Sequence, residues 1–517
     1  MKIFRPEDFG AIADGIHNDA IALWKTLAAA IEYDGEAQVL LEANKTYRFG
    51  PTEDQKCGKH QMLIGGLRQN PASMNCTAPI AIDSAKDLHV KGSNTTILID
   101  KPFNYCNMYN SENIIIEGLI FDYSTHPYVK GTMLEMDFET HKATFKTDRS
   151  LFVNEKATMR DFGVLERPES RYHLFTRTVT TVDADNFIYE IEFNDDPCTN
   201  KHFKLLAKYP LIIPVPGFGH CIERGFSVIG NKNVTFKDCT IHSLARFGFA
   251  LFNNDGVMLF ENVRAEKNDE ANIVGWRDLF HVKESHAKHI WRNCYAEYCN
   301  DDIFNISAST LAVQKVYAED DVDFIWNETK GVYGAARVGD TISVIDFATG
   351  KDYGEAKIVE IVEREGSHNR FRLDRPIKGV EGIKDSRVHV LDLVAPGSII
   401  ENCEFHGTYR LRGPIEVKNT YFETKRFWLD TWFPGAIGEG PVPKHIHFTN
   451  CNFECDDEAE PYFHIESHRK DSCDSPQYHI EDMIFENCEI PMSVLEIGAT
   501  DESYVKFVNC INKIKGE

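Results

Sequence analysis

Between Trp276 and Ser307 the chain reads WRDLFHVKESHAKHIWRNCYAEYCNDDIFNIS. Asp278 and His281 lie at its start, the pair Asp301-Asp302 lies 23 residues after Asp278, and Asn305 follows. Three carboxyl groups brought together can divide the labour of acid–base chemistry. Crowding raises their affinity for protons, so one stays protonated as an acid while another stays ionised as a base or water holder. A lone Asp-Asp pair in an acidic chain is ordinarily a turn. An aspartate, a gap of regular length and then DD-x-x-N is a different signal, because a repeating fold would stack the two ends of that gap. In a regular strand Asp301 and Asp302 point to opposite sides, whereas a turn or bulge lets both face solvent. His281 suits substrate binding or proton tuning as well as a structural hydrogen bond.

A repeat supplies the elements that would position these groups. Its form is apolar, any, Asn or Asp, a small residue, any, apolar. It runs through Phe236–Ile241 (FKDCTI), Trp291–Ala296 (WRNCYA), Ile400–Phe405 (IENCEF), Phe448–Phe453 (FTNCNF), Phe485–Ile490 (FENCEI) and Phe507–Asn512 (FVNCIN). Weaker copies sit at Val90, Ile115, Phe260 and Val417. Steps between the Asn or Asp positions, such as 238 to 262 and 487 to 509, match coils of roughly 20–30 residues. The reading is an all-β, right-handed parallel β-helix. Each Asn should bond to its neighbour at a corner of the coil, and each Cys should point into a narrow core. Asp278 and Asp301, one coil apart, should be axial neighbours near ~4.8 Å.

Residues 1–127 form the N-terminal part of this solenoid. Its opening, Asp8-Phe9-Gly10-Ala11 with Asp14-Gly15, leads into a helix whose Ile21, Trp24, Ala28 and Ile31 share a face and whose N-cap is Asn18 or Asp19. Such a helix would cover the open end of the sheets. Residues 128–215 and 309–394 break the period and alternate like antiparallel strands. They read as two β-rich, barrel-like insertions, leaving 216–308 as the coils with the aspartates and 395–517 as the C-terminal part. Arg426 to Pro443 reads as a long loop.

The 517 residues carry 80 acidic and 56 basic side chains, a formal charge of −24. That balance disfavours nucleic acid and anionic membranes, and makes a neutral or weakly charged substrate the easier fit. The 14 cysteines include no CxxC pair or zinc-finger spacing. The N-terminus carries no secretory pattern and no run of 18 apolar residues occurs, so the expected compartment is the cytoplasm, or outside the cell if a signal segment had been trimmed. Oligomeric state is left open, a homodimer included.

The segment resembles glycoside hydrolase family 110, the α-1,3-galactosidases, and the opening resembles the cap of the pectate-lyase-like β-helix superfamily. The matching features are Asp278 in R-D-x-F-H, Asp301-Asp302 in DD-x-x-N, two β-rich insertions, and the stretch from Trp432 to Pro441 that ends Glu439-Gly440-Pro441. Leu279 and Ile306-Ser307 depart from the pattern. The resemblance implies a β-helix with two barrel insertions and an inverting exo-hydrolase acting on terminal α-galactose. It implies that Asp301 is the acid and that Asp278 and Asp302 hold the water. The polygalacturonases share the D…DD arrangement.

Sugar sites stack aromatic rings on pyranose faces and use polar groups for hydroxyls. On that ground Trp276, Arg277, His281, Asn305, Trp428, Trp432 and Glu439 are substrate-binding candidates, while for Arg410 and Arg412 solvent is the expected surrounding and the cleft the alternative. Glu466, His464 and His468 alternate without a further ligand, so no metal or cofactor is expected. Two other classes remain open. A polysaccharide lyase or uronate epimerase would use Lys283, Lys288 or His281, and a non-catalytic adhesin would bind carbohydrate without turnover.

Overall fold

Parallel pairing from coil to coil dominates the computed structural model. The structure describes residues 1–50, 63–64, 67–68, 78–100, 104–151, 153, 155–158, 162–165, 172–215, 224–244, 247–268, 274–297, 299–326, 335–346, 351–383, 386–430, 439–441, 443–455, 463–466, 480–492, 495–497 and 504–513. Three parallel ladders run the length of a β-helix. The ladder that carries the aspartates includes strands β1 (Phe247–Phe252), β2 (Phe280–Lys283), β3 (Asp302–Ser309), β4 (Glu404–Leu411) and β5 (Tyr421–Asp430). β1 pairs with β2, β2 with β3, β3 with β4 and β4 with β5.

The repeat explains the corners. Asp238, Asn262, Asn293, Asn402, Asn419, Asn450, Asn487 and Asn509 all turn the chain in the left-handed region, with φ between 49 and 55°. Asn is the side chain that tolerates this conformation best after glycine. The amides also bond along the axis: Asn419 Nδ2 donates to Asn402 Oδ1 and Asn450 Nδ2 to Asn419 Oδ1, both at 3.1 Å. The cysteines point inward, as expected. Cys294 donates its thiol to the Phe260 carbonyl of the preceding coil at 3.4 Å, and Cys451 does the same to Val417 at 3.6 Å.

Aromatic stacks fill the core and hold the axial register. Phe226, Phe249, Phe280 and Phe304 stack in sequence, with centroids 4.2, 5.3 and 5.2 Å apart. Phe236, Phe260 and Trp291 form a second column at 5.5 and 5.8 Å. Each such pair adds roughly 0.5–1.5 kcal/mol beyond its buried area.

The helix Ala20–Ile31 packs on the first coils with Leu23, Leu27 and Ala30, while Ile21 and Ala28 face solvent. The expected apolar face was therefore wrong by part of a turn, and of its members Trp24 and Ile31 are half-buried. Asp19 sits at the N-cap, but its carboxylate accepts the loop N–H of Ile12 at 2.8 Å instead of capping the helix.

Two closed antiparallel units are inserted into the solenoid. In the first, Tyr128–Asp137, Lys142–Thr147, Ile188–Phe193, Tyr172–Asp183, Phe162–Leu165 and Leu211–Pro214 pair in a ring. The second is a closed six-stranded barrel running from Leu311–Ala318 to Ser386–Val390. Its core is continuous with Ile229, Ala250 and Phe252 of the aspartate-bearing ladder. The long loop is shorter than expected, because Arg426–Asp430 belongs to β5.

Asn419 accepts one corner bond and donates another, so Asn419→Ala should lower stability by roughly 2–3 kcal/mol, combining the left-handed backbone cost with a lost hydrogen bond. Asn419→Gly should recover the backbone part. Urea unfolding of the two variants checks this, and equal midpoints would show that φ contributes nothing.

Candidate active site

The first surprise is the register. β2 and β3 pair Phe280 with Phe304 and His281 with Asn305, an interval of 24 residues. The flanking bridge of Gly275 to Cys299 keeps that interval, and the Leu279 N–H donates to the Asp302 carbonyl at 2.9 Å. Asp278 therefore lies opposite Asp302, and Arg277 lies opposite Asp301. The expectation that Asp278 and Asp301 are the axial neighbours is off by one position, because the coil is one residue longer than their spacing.

The three carboxylates nevertheless converge, with oxygens all within 4.8 Å of one another. Asp301 sits in the bend before β3 and Asp302 begins the strand, so both reach the same side. Asp278 and Asp302 are buried, with side chains 5% and 6% exposed, while Asp301 is 33% exposed. Asp301 is the carboxyl an incoming molecule meets first.

Their surroundings separate their charge states. Burial would raise Asp278, but His281 Nδ1 hydrogen-bonds its Oδ2 and the net effect holds the carboxyl below its ordinary range. Burial, then the neighbouring charge of Asp278, pushes Asp301 up to about 6 against the pull of Arg277, whose Nη1 lies 3.3 Å away. Burial also lifts Asp302 well above the carboxylate range. Arg410 at 3.9 Å opposes this, and Asp278, Asp301 and Glu439 reinforce it. Asp278 is thus the member that favours its ionised form, and the Asp301-Asp302 pair is where protons are held more tightly than usual.

Glu439 reaches the site on β6 (Glu439–Gly440), a two-residue strand antiparallel to the end of β3. One oxygen lies 3.2 Å from Lys283 Nζ and 3.3 Å from Asn305 Nδ2, and the other is held by Arg410 Nη1. These cations keep its carboxyl well below the usual range despite its burial. Ser307 Oγ in turn donates to Asn305 Oδ1 at 2.9 Å.

Of the sequence candidates, Asp278, Asp301, Asp302, His281, Arg277, Asn305 and Glu439 meet at one place. Trp276 does not serve as a sugar platform: it is fully buried against Tyr128 and Ile212 of the first insertion, where it ties that unit to the site strand. Trp432 lies outside the described residues. Trp428 pairs in register with Arg410 on the site ladder. Arg410 and Arg412, expected in solvent, are 17% exposed and buried respectively. Lys283, which the sequence offers as a lyase base, is a buried counter-ion of Glu439. The available signal was register: His281, Asn305, Arg410 and Trp428 stand at successive positions of one row.

The three aspartates are also the one His/Cys/Asp/Glu group, among the described residues, close enough to share an ion. Hard cations want six or more oxygen ligands. Here His281, Arg277 and Arg410 already supply positive charge, so the donor set favours protons over a metal.

No protein-family model matches the chain, and no curated protein matches it in sequence. Among solved structures it is similar to a family 28 exopolygalacturonase of Yersinia enterocolitica, at 11% identity over 100% of this chain and 79% of that one, with a TM-score of 0.37. It is also similar to the A-module of the mannuronan C-5 epimerase AlgE4 of Azotobacter vinelandii, at 10% identity over 98% and 94%, with a TM-score of 0.39. The Streptococcus pneumoniae surface adhesin PfbA aligns at 10% identity over 98% and 84%, with a TM-score of 0.37. These overlaps are loose, and the fold rests on the strand pairings themselves.

A sign follows for stability. Asp301 binds its proton more tightly folded than unfolded, so stability falls as pH rises from about 4, the unfolded value, through about 6. Asp301→Asn should therefore raise Tm at pH 7–8, with the gain disappearing near pH 4. Thermal unfolding across that range checks it, and a gain independent of pH would contradict the assignment.

Proposed function

We propose that this protein hydrolyses glycosidic bonds, with Asp301 as general acid and Asp278 with Asp302 holding the attacking water. One observation carries the reading. Three aspartates from adjacent coils converge on one face, and the most exposed of them keeps its proton up to about pH 6. A carboxyl that is still largely protonated in mildly acidic solution and open to solvent can protonate a leaving oxygen. Asp278, held ionised by His281, is suited to polarise water. The resemblance in R-D-x-F-H, DD-x-x-N and EGP makes terminal α-linked galactose the leading substrate and inversion the leading outcome.

A uronate-directed lyase or epimerase is favoured by Arg277 and Arg410, cations that could face a substrate carboxylate. Of its candidate bases, Lys283 is locked to Glu439 and Lys288 lies on a strand of a different ladder, Lys288–Arg292, so His281, hydrogen-bonded to Asp278, is the one at the site.

The test is turnover of nitrophenyl glycosides and natural oligosaccharides, α-galactosides first. Asp301→Asn should reduce the rate by about 10²–10⁴ while leaving the folded state intact, with proton NMR reading the first anomer. Near-wild-type turnover by that variant would sink the assignment. An unsaturated product absorbing in the ultraviolet would replace it with the lyase.

A further inference from the structure

Glu439 has no free oxygen to offer a ligand, yet it sits 8% exposed within the electrostatic reach of Asp278 and Asp302. Its place depends on the second barrel. Gly440 follows it and packs directly on the ring of His389, a fully buried residue of the barrel strand Ser386–Val390. A Cβ added at Gly440 would fall 2.0 Å from two atoms of that ring, a contact no side chain can make. Thr310 Oγ1, 3.4 Å from His389 Nε2, ties the ring to the residue joining β3 to the barrel. The barrel itself is docked on the solenoid by His286 to Asp340 at 3.0 Å and Arg337 to Asp255 at 2.6 Å. The contacts run unbroken from the barrel through His389 and Gly440 to Glu439, then to Lys283, Asn305 and Arg410, and so to the Asp302 carboxyl.

We propose that the second barrel is a positioning element of the active site. By seating Gly440 against His389 it sets Glu439 between Lys283 and Arg410, which holds the Arg410 guanidinium off Asp302 at a fixed distance. Glu439 is then a positioning residue and not a sugar ligand, a conclusion that builds on the acid–base reading of the aspartates. The physical reason is competition for one cation. With Glu439 in place, Arg410 is shared and Asp302 keeps its proton. With Glu439 displaced, the guanidinium is released toward Asp302, and a negative charge beside it is lost. The groups facing Asp302 are Arg410, Asp278, Asp301 and Glu439, and those facing Glu439 are Lys283, Arg410 and His281. Both consequences favour the ionised form of Asp302.

Two readouts test this on the full chain. Infrared titration of the aspartic carboxyls needs no substrate. Glu439→Gln and Gly440→Ala should both move deprotonation of the Asp301-Asp302 pair to lower pH, identified by its loss in Asp302→Asn. Turnover is the second readout. Gly440→Ala should lower kcat by about a hundredfold, as a small misplacement of reacting groups does, and shift the pH profile with it. His389→Ala in the Gly440→Ala background should restore both by making room for the methyl group. Unchanged titration in folded Glu439→Gln and Gly440→Ala protein would overturn the proposal. A titration that shifts in a protein inactive on every glycoside would leave the positioning role standing and remove the glycosidase reading. Should Gly440→Ala fail to fold, His389→Ala, which removes the ring that seats Gly440, should shift the titration in the same direction as Glu439→Gln, and an unchanged titration in folded His389→Ala would overturn the barrel's part.

Discussion

The axial register of neighbouring coils is the constraint from which the site follows. Phe280 stacked on Phe304 at 5.2 Å fixes β2 against β3 from the inside, and the same register places Asp278 opposite Asp302 on the outside. A slip of one residue would exchange the inner and outer faces of the strand. It would bring Phe304 into solvent and the carboxylates into the core. The aromatic columns and the asparagine corners oppose that slip at each coil. This is how a fold built of local repeats holds three acids within one small volume.

Holding them has an electrostatic cost, which the surrounding residues distribute unevenly. His281 takes Asp278, Arg277 takes Asp301, and Arg410 is divided between Asp302 and Glu439. Uneven partnering favours the ionised form of one carboxyl and raises the proton affinity of the other two, the condition for acid and base to coexist at one pH. Lys283 and Asn305 complete the arrangement by satisfying the second oxygen of Glu439, so that this buried charge is not left unpaired.

Both inserted units act on this arrangement, through different residues. The first reaches it through Trp276, buried against Tyr128 and Ile212. The second shares its core with Phe252, whose ring meets His281 at 5.6 Å, and touches β6 through His389. Insertions at these two points leave the solenoid's ladders unbroken, since each returns the chain close to where it left. They add walls to a face that coils alone would leave flat.

Much of this was legible in the sequence because it is local or periodic. The FxNCxF repeat specified hydrogen-bonded corners and an inward thiol, since an Asn amide both donates and accepts along a stack and a Cys is small and apolar enough for a narrow core. The alternation in 128–215 and 309–394 announced antiparallel insertions. The D, coil-length gap and DD marked the catalytic candidates. What tertiary structure decided is where periodicity stops being informative. The pairing of Asp278 with Asp302, and not Asp301, turned on a coil of 24 residues, which only the partner strands define. Trp276 reads as a surface aromatic until an insertion more than sixty residues earlier covers it. In sequence Arg410 reads as a solvent-exposed charge, Lys283 as a base and Glu439 as a sugar ligand, and the three become one buried network only when β4, β2 and β6 meet. A charge's role is set by its neighbours in space, and those neighbours lie on coils and a barrel strand far apart along the chain.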